Sequence, residues 1–144
     1  MKLKSSCYII KLINDAIKKE ANMMLAEMDI TMTQAGVLLL LSQKNDGKMS
    51  LKELERLVNV SQPTIAGISS RMQQKGLVEI VESSEDKRAK IMKLSPQGEE
   101  CCKIAKNQMK SAEEKLLSPL SQDEVKELNR LLQKLAEPLD KGSC

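Results

Sequence analysis

The chain has 144 residues, of which 41% are hydrophobic and 30% are charged, a size and composition that suit one compact domain with a hydrophobic core. Histidine, tryptophan and phenylalanine are absent, and Tyr8 is the only aromatic residue. Without histidine there is no Ser-His or Cys-His nucleophile pair and no His-containing zinc site, so we expect a protein that is not an enzyme. Without Trp or Phe no platform exists on which unpaired bases could stack, so any nucleic-acid partner should be duplex.

The formal net charge is +3, from 23 Lys and Arg against 20 Asp and Glu, which permits a nucleic-acid partner without demonstrating one. Four cysteines form no C-x-x-C pair, so we predict no metal and no cofactor; they are Cys7, Cys101, Cys102 and Cys144. The apolar stretch near the N-terminus is soon interrupted by charged residues and is too short for a membrane span. We therefore expect a reduced, cytoplasmic protein with free thiols and no membrane partner.

Three helices are predicted in the first 58 residues. Apolar residues recur at steps of three and four over Ser6–Met28, which indicates a long amphipathic helix. Thr33 is the predicted cap of a second helix, whose run Val37–Leu41 is apolar on all sides and therefore belongs in the core. Ser50, with Glu53 three residues on, has capping-box spacing and starts a third helix. Its expected apolar face consists of Leu51, Leu54, Leu57 and Val58.

A tight turn and a fourth helix follow. Asn59 is one of the few residues that tolerate the left-handed backbone conformation such a turn needs. Ser61 can cap the next helix, and Pro63 is tolerated in its first turn because the missing N–H has no partner there anyway. Gly76 is the predicted end of this helix.

The spacing then changes from helical to alternating. Val78–Glu82 and Ala89–Leu94 are short and rich in branched residues, which predicts a hairpin around the polar loop Ser83–Arg88. Two further helices are predicted, over Ser95–Leu116 and Ser121–Leu139. The fold class is therefore mainly α with a small β-hairpin.

Two short helices joined by the turn Val58–Ser61 and followed by a hairpin are the layout of a winged helix-turn-helix. The second helix of such a unit enters the major groove of DNA, and the hairpin can reach the minor groove. Hydroxyl, amide and cationic groups able to contact bases or phosphates occur in both parts. The residues by themselves leave two other interpretations open: a capped, solvated helix face, or a winged-helix module for protein interaction without DNA binding.

Four stretches carry a resemblance to a known family: Ser61–Ile65, Lys75–Val78, Asp86–Arg88 and Leu94–Gly98. The last two match the signature D-x-R-x5-L-[T/S]-x-x-G at every fixed position. The chain thus resembles the MarR (multiple-antibiotic-resistance regulator) family over nearly its whole length. The resemblance implies a homodimeric transcription regulator, a repressor that binds a near-palindromic operator in double-stranded DNA and is relieved by a small molecule or an oxidant.

The resemblance also implies an organisation and a set of DNA-binding residues. The chain would be one domain, with a DNA-binding lobe at 33–98 and dimerisation helices at 1–30 and 99–144. The recognition helix would be Ser61–Lys75 and the wing Val78–Leu94, with Arg88 approaching the minor groove and Asp86 holding the loop that presents it. The candidate DNA-binding residues are Ser61, Gln62, Pro63, Thr64, Ser70, Arg71, Asp86, Lys87, Arg88 and Lys90.

Two departures from the family limit the transfer. Gly67 stands in the middle of the recognition helix, where many relatives have an arginine, so the base preference cannot be copied. The first wing strand reads Ile80–Ser83, where relatives often carry arginines, so the phosphate contacts should be fewer.

Two kinds of effector are left open, an oxidant and a small molecule. Cys7 lies close to the reactive cysteine of the hydroperoxide-sensing branch of the family, but Met32 and Ala35 stand where that branch has activating tyrosines. The other route is a small apolar or phenolic effector, for which Met23, Met24, Met28 and Met32 would offer a soft lining. These methionines also suit a simpler role, filling the core of a chain without Phe or Trp.

Overall fold

The computed structural model describes residues 5–141, so Cys144 and the outermost residues of the predicted dimerisation segments lie outside the described residues. Six helices and three short strands fall within this range. In chain order they are α1 Ser6–Glu27, α2 Met32–Ser42, β1 Lys48–Ser50, α3 Leu51–Val58, α4 Gln62–Gln74, β2 Val78–Glu82, β3 Lys90–Leu94, α5 Pro96–Leu117 and α6 Gln122–Lys141. The predicted mainly α fold with a β-hairpin is confirmed.

The chain divides into two compact units, residues 1–108 and 109–144, with the boundary inside α5. In the first unit the predicted cap of α2 is wrong. Thr31, not Thr33, caps the helix: its Oγ1 accepts from the Gln34 amide at 3.1 Å, while Gln34 Oε1 accepts from the Thr31 amide at 3.2 Å. Starting two residues earlier lets a glutamine stand at the third helical position, which completes a reciprocal capping box.

The predicted turn between α3 and α4 is confirmed. Asn59 adopts φ 54° and ψ 54°, the left-handed conformation, and Ser61 caps α4 by accepting from the Thr64 amide at 3.3 Å. Leu57 was expected on the apolar face of α3 but is 43% exposed. At 100° per residue it stands at the edge of the face that the buried Leu54 and the half-buried Val58 turn to the core, so it is left in solvent.

A third strand, β1, extends the predicted hairpin and was not expected from the sequence. The sheet is antiparallel with the order β1-β3-β2, and Met92 in its central strand lies opposite both Met49 and Ile80. Three residues are too few for an alternating pattern to be recognisable, so only pairing with β3 identifies β1 as a strand.

The core of the first unit lies between α2, α3, α4 and the inner face of the sheet. The predicted core helix α2 contributes Val37, Leu38 and Leu41, all buried. The largest fully buried side chains are aliphatic or Met, which fill the volume that aromatic residues occupy elsewhere: Leu41, Leu54, Ile65, Met72, Met92 and Val37. This core fixes α4 and the hairpin next to each other.

In the second unit α6 is amphipathic and begins with a capping box, since Glu124 donates its amide to Ser121 Oγ at 3.2 Å and Glu124 Oε1 accepts from the Ser121 amide at 3.0 Å. Its apolar face is exposed within the chain, up to 74% at Leu139. No single helix within residues 5–141 is long and apolar enough to cross a membrane; α1 and α2 reach that composition only as a pair bent by 85°.

Candidate nucleic-acid interface

The N-terminus of α4 is exposed and capped. Ser61 Oγ accepts from the Thr64 amide and also lies 2.9 Å from Thr64 Oγ1, so the two hydroxyls orient one another. Gln62 and Pro63 are exposed beside them. Free backbone N–H groups and the positive end of the helix dipole at such a terminus favour a phosphate, and the neighbouring amide and hydroxyl groups can bond to base edges.

The outward face of α4 carries no side chain at its centre, because Gly67 stands there. Ile65, Ile68 and Met72 are buried on the opposite face of the helix. A Cβ at Gly67 would lie 3.5 Å from Arg71 Nη2, so the arginine side chain folds back by one turn and covers the glycine. Its guanidinium therefore lies beside the middle of the helix.

The wing tip is a closed turn stabilised by Asp86. The Asp86 carbonyl accepts from the Ala89 amide at 3.0 Å, and its Oδ1 accepts from the Arg88 amide at 3.0 Å. Lys87 and Arg88 occupy the two central positions of this turn and are exposed. The turn gives Asp86 the loop-holding geometry that the resemblance implied. Contact of Arg88 with DNA stays a prediction.

The base of the wing is fastened to the end of α4 by the signature residues. Ser95 Oγ donates to the Gly76 carbonyl at 2.5 Å and accepts from the Gly98 amide at 3.0 Å, while the Ser95 amide donates to the Leu77 carbonyl at 3.1 Å. A Cβ at Gly98 would lie 2.0 Å from the Leu77 oxygen, so only glycine fits there. The signature D-x-R-x5-L-[T/S]-x-x-G identified Ser95 and Gly98 in the sequence. Its spacing did not show which groups they contact.

Between α4 and the wing lies an open groove of about 410 Å³. It brings together two of the predicted DNA-binding residues, Ser70 and Lys90, whereas Lys87 and Arg88 lie at the wing tip and Gln62 and Thr64 at the start of α4. The groove is lined by Leu51, Ala66, Ser69, Ser70, Gln73, Ile80 and Lys90. Nine of the ten candidate residues thus form three groups, at the start of α4, in the groove and at the wing tip, while Arg71 lies over Gly67.

The methionines proposed as an effector lining do not behave alike. Met24 and Met28 pack against the core, which fits the simpler filling role, while Met23 and Met32 are each 55% exposed. Binding of an effector by this set stays a prediction.

The cysteines differ in their surroundings. Cys7 is exposed on the first turn of α1, and its role as an oxidant sensor stays a prediction. Burial raises the pKa of the Cys101 and Cys102 thiols, so both are less nucleophilic than a free thiol. The Cys102 thiol donates to the Leu38 carbonyl, with Sγ 3.6 Å from the oxygen. Among the described residues, no group of three or more His, Cys, Asp or Glu could hold a metal ion.

Comparison with known proteins gives consistent similarities. A sequence model described as the MarR family matches residues 30–90. The multiple antibiotic resistance protein MarR of Salmonella typhimurium is 29% identical over 128 residues, 88% of each chain. A MepR mutant from S. aureus has a TM-score of 0.86 at 21% identity, covering 94% of this chain and 99% of that one. Another S. aureus MepR mutant, solved bound to an oligodeoxyribonucleotide, has a TM-score of 0.75 at 23% identity, covering 94% and 99%.

Proposed function

We propose that the chain is a transcription regulator of the MarR family and not an enzyme, and that it binds double-stranded DNA in a sequence-specific manner as a homodimeric repressor. The observation that carries the proposal is the pairing of a capped, exposed α4 N-terminus with a wing tip at which Asp86 holds Lys87 and Arg88 in a closed turn. One element offers groups for base edges, and the other offers cations for a groove and phosphates.

The chemistry of the side chains assigns different roles to α4 and to the wing. Gln62 and Thr64 can bond base edges in the major groove, since amide and hydroxyl groups both donate and accept. The guanidinium of Arg88 suits the concentrated negative potential of a narrow minor groove. The DNA-bound MepR mutant supports a DNA partner for a chain of this fold.

Dimerisation is proposed from the apolar surface that each unit leaves uncovered. On α1, Ile10 and Ile17 are both 48% exposed, and on α6, Leu135 and Leu139 are 61% and 74% exposed. Contiguous apolar faces of this kind mark an interaction site, and a two-fold dimer would bury the same faces of both chains.

Repression relieved by a small apolar or phenolic effector is the mode of regulation that the resemblance implies. A cytoplasmic location follows if the ligand is chromosomal DNA. The alternative, a winged-helix module for protein interaction, has no observation of its own in its favour beyond the shallow centre of α4 at Gly67.

A gel-shift titration against the duplex upstream of the chain's own gene tests the proposal, with a scrambled duplex of equal length as control. We expect preferential retardation of the upstream duplex. Footprinting should reveal two symmetrical half-sites about 10 base pairs apart, one helical turn. Equal affinity for both duplexes, or one unsymmetrical half-site, would contradict the proposal.

A further inference from the structure

A short part of α1, near its C-terminal end, packs against the core of its unit. Leu25, in its last two turns, is the one residue of α1 among those described that is buried. The helix ends in a left-handed turn: Asp29 has φ 55°, its amide donates to the Ala26 carbonyl at 3.2 Å, and the Ile30 amide donates to the Leu25 carbonyl at 3.0 Å. The Asp29 carbonyl lies beyond the end of the helix, where it accepts a hydrogen bond from a side chain distant in sequence.

The donor comes from the recognition helix. Lys75, the C-cap of α4, donates its ammonium to the Asp29 carbonyl and, at 3.1 Å, to Gln34 Oε1. Gln34 is 3% exposed and is itself fixed by the capping box with Thr31. A cation therefore bridges the C-terminal end of α1 and a buried amide at the start of α2. The negative end of the α1 dipole adds to the attraction.

The same end of α4 is held from its other side. Ser95 donates to the Gly76 carbonyl, and Gln97 Nε2 donates to the Lys75 carbonyl at 3.4 Å. The last turn of α4 is thus attached at once to the α1–α2 turn and to the first turn of α5. Of these attachments, only the Lys75 side chain reaches the α1–α2 turn and α2, at Asp29 and Gln34, which are 46 and 41 residues away in sequence.

We propose that Lys75 is a positioning residue that locks the recognition helix to the α1–α2 turn and so sets the position of α4 relative to α1. The inference rests on the proposed function, in which α1 joins the two chains and α4 reads DNA. A dimer recognises two half-sites only when its two recognition helices are held at the separation of successive major grooves. Without the Lys75 contacts each recognition helix could still read bases, but the distance between the two helices would no longer be fixed.

The test measures Kd for duplexes that carry the same two half-sites at separations of about 9 to 12 base pairs. Lys75→Met removes the charge and the donors but keeps an apolar stem of similar length. We expect its affinity at the best separation to fall by about tenfold, the loss appropriate to one charge-assisted hydrogen bond, and by less than about threefold at the others. The preference for one separation should flatten, and Lys75→Arg should restore it.

The matched control is Lys44→Met, which removes the same charge from an exposed loop residue and should lower affinity equally at all separations. Hydrogen exchange without DNA gives an independent readout, since Lys75→Met should accelerate exchange of the Asp29, Ile30 and Leu77 amides. If Lys75→Met does not fold, Lys75→Ala, which also removes the charge and the donors, takes its place.

Unchanged exchange together with a separation profile parallel to that of the wild type would overturn the role of Lys75 and leave the proposed function standing. Failure of the wild type to bind any of the duplexes would instead refute the proposed function and, with it, the role in spacing.

Discussion

At Gly98 the first turn of α5 passes so close to the end of α4 that a Cβ would lie 2.0 Å from the Leu77 oxygen, a backbone atom with little freedom to yield. We expect Gly98→Ala to lower the free energy of unfolding by at least about 2 kcal/mol, in the upper part of the range for overpacking. Gly36→Ala is the control, because nothing lies within 4 Å of a Cβ there, and it should raise stability by up to about 1 kcal/mol. Urea unfolding measures both, and similar midpoints for the two variants would contradict the close approach.

Gln62 is exposed at the first position of α4, where its amide can bond a base edge. We expect Gln62→Ala to cost about 1–3 kcal/mol on the preferred operator and little on random duplex, because the lost contact is to a base and not to the phosphates. The same substitution at Gln74, exposed at the other end of the helix, is the control. Equal losses on both duplexes, measured by anisotropy titration, would show that Gln62 does not read sequence.

For the wing, the geometry of the turn and its charge predict opposite changes in the affinity for DNA. Asp86→Ala removes a negative charge, which by electrostatics should tighten DNA binding, but it also removes the Oδ1 acceptor that holds the Arg88 amide at 3.0 Å. We expect weaker binding because the turn opens and Arg88 is no longer presented. Glu85→Ala, which removes the same charge one residue away, should bind as tightly as the wild type or more tightly. Tighter binding by Asp86→Ala would mean that the turn has no part in presentation.

Arg88→Ala should weaken binding to all duplexes and make the plot of log K against log salt less steep by about one unit per protomer, the value for one lost phosphate contact. Arg130→Ala is the control: this arginine, on α6, is paired with Glu127 at 2.6 Å and is not among the candidate DNA-binding residues. Because it lies within the predicted dimer segment Ser121–Leu139, sedimentation must show that this variant stays dimeric. Titrations at several salt concentrations measure the slope. An unchanged slope for Arg88→Ala would exclude Arg88 from the interface.

For the whole molecule, we expect a two-fold dimer through Ser6–Ala21 and Ser121–Leu139, since the exposed apolar residues of α1 and α6 would otherwise face water. Leu135, which is 61% exposed, can be replaced without loss of a core contact, so Leu135→Glu should yield a folded monomer. Lys134→Glu, next to it, should remain dimeric. Sedimentation equilibrium measures the oligomeric state of the wild type, and a stable monomer at micromolar concentration would refute the prediction.

Much of the fold could be predicted because its boundaries are set by interactions between residues three or four apart. The caps at Ser50, Ser61 and Ser121 and the left-handed residues Asn59 and Gly76 all act within one turn of chain, so their residue types and spacing suffice. The wing turn is equally local, since Asp86 bonds a backbone amide two residues on. For the same reason the candidate groups of α4 and the wing could be named in advance.

The sequence by itself thus determined the order of the helices, the turn, the hairpin and a buried α2, because local hydrogen bonds and hydrophobic periodicity encode them. Only the tertiary structure decided what depends on distant partners. It made Lys48–Ser50 a strand by pairing it with β3, and it joined Lys75 to Asp29 across 46 residues. Side chains this far apart in sequence meet only after the core has packed, and no spacing along the chain records which of them will meet.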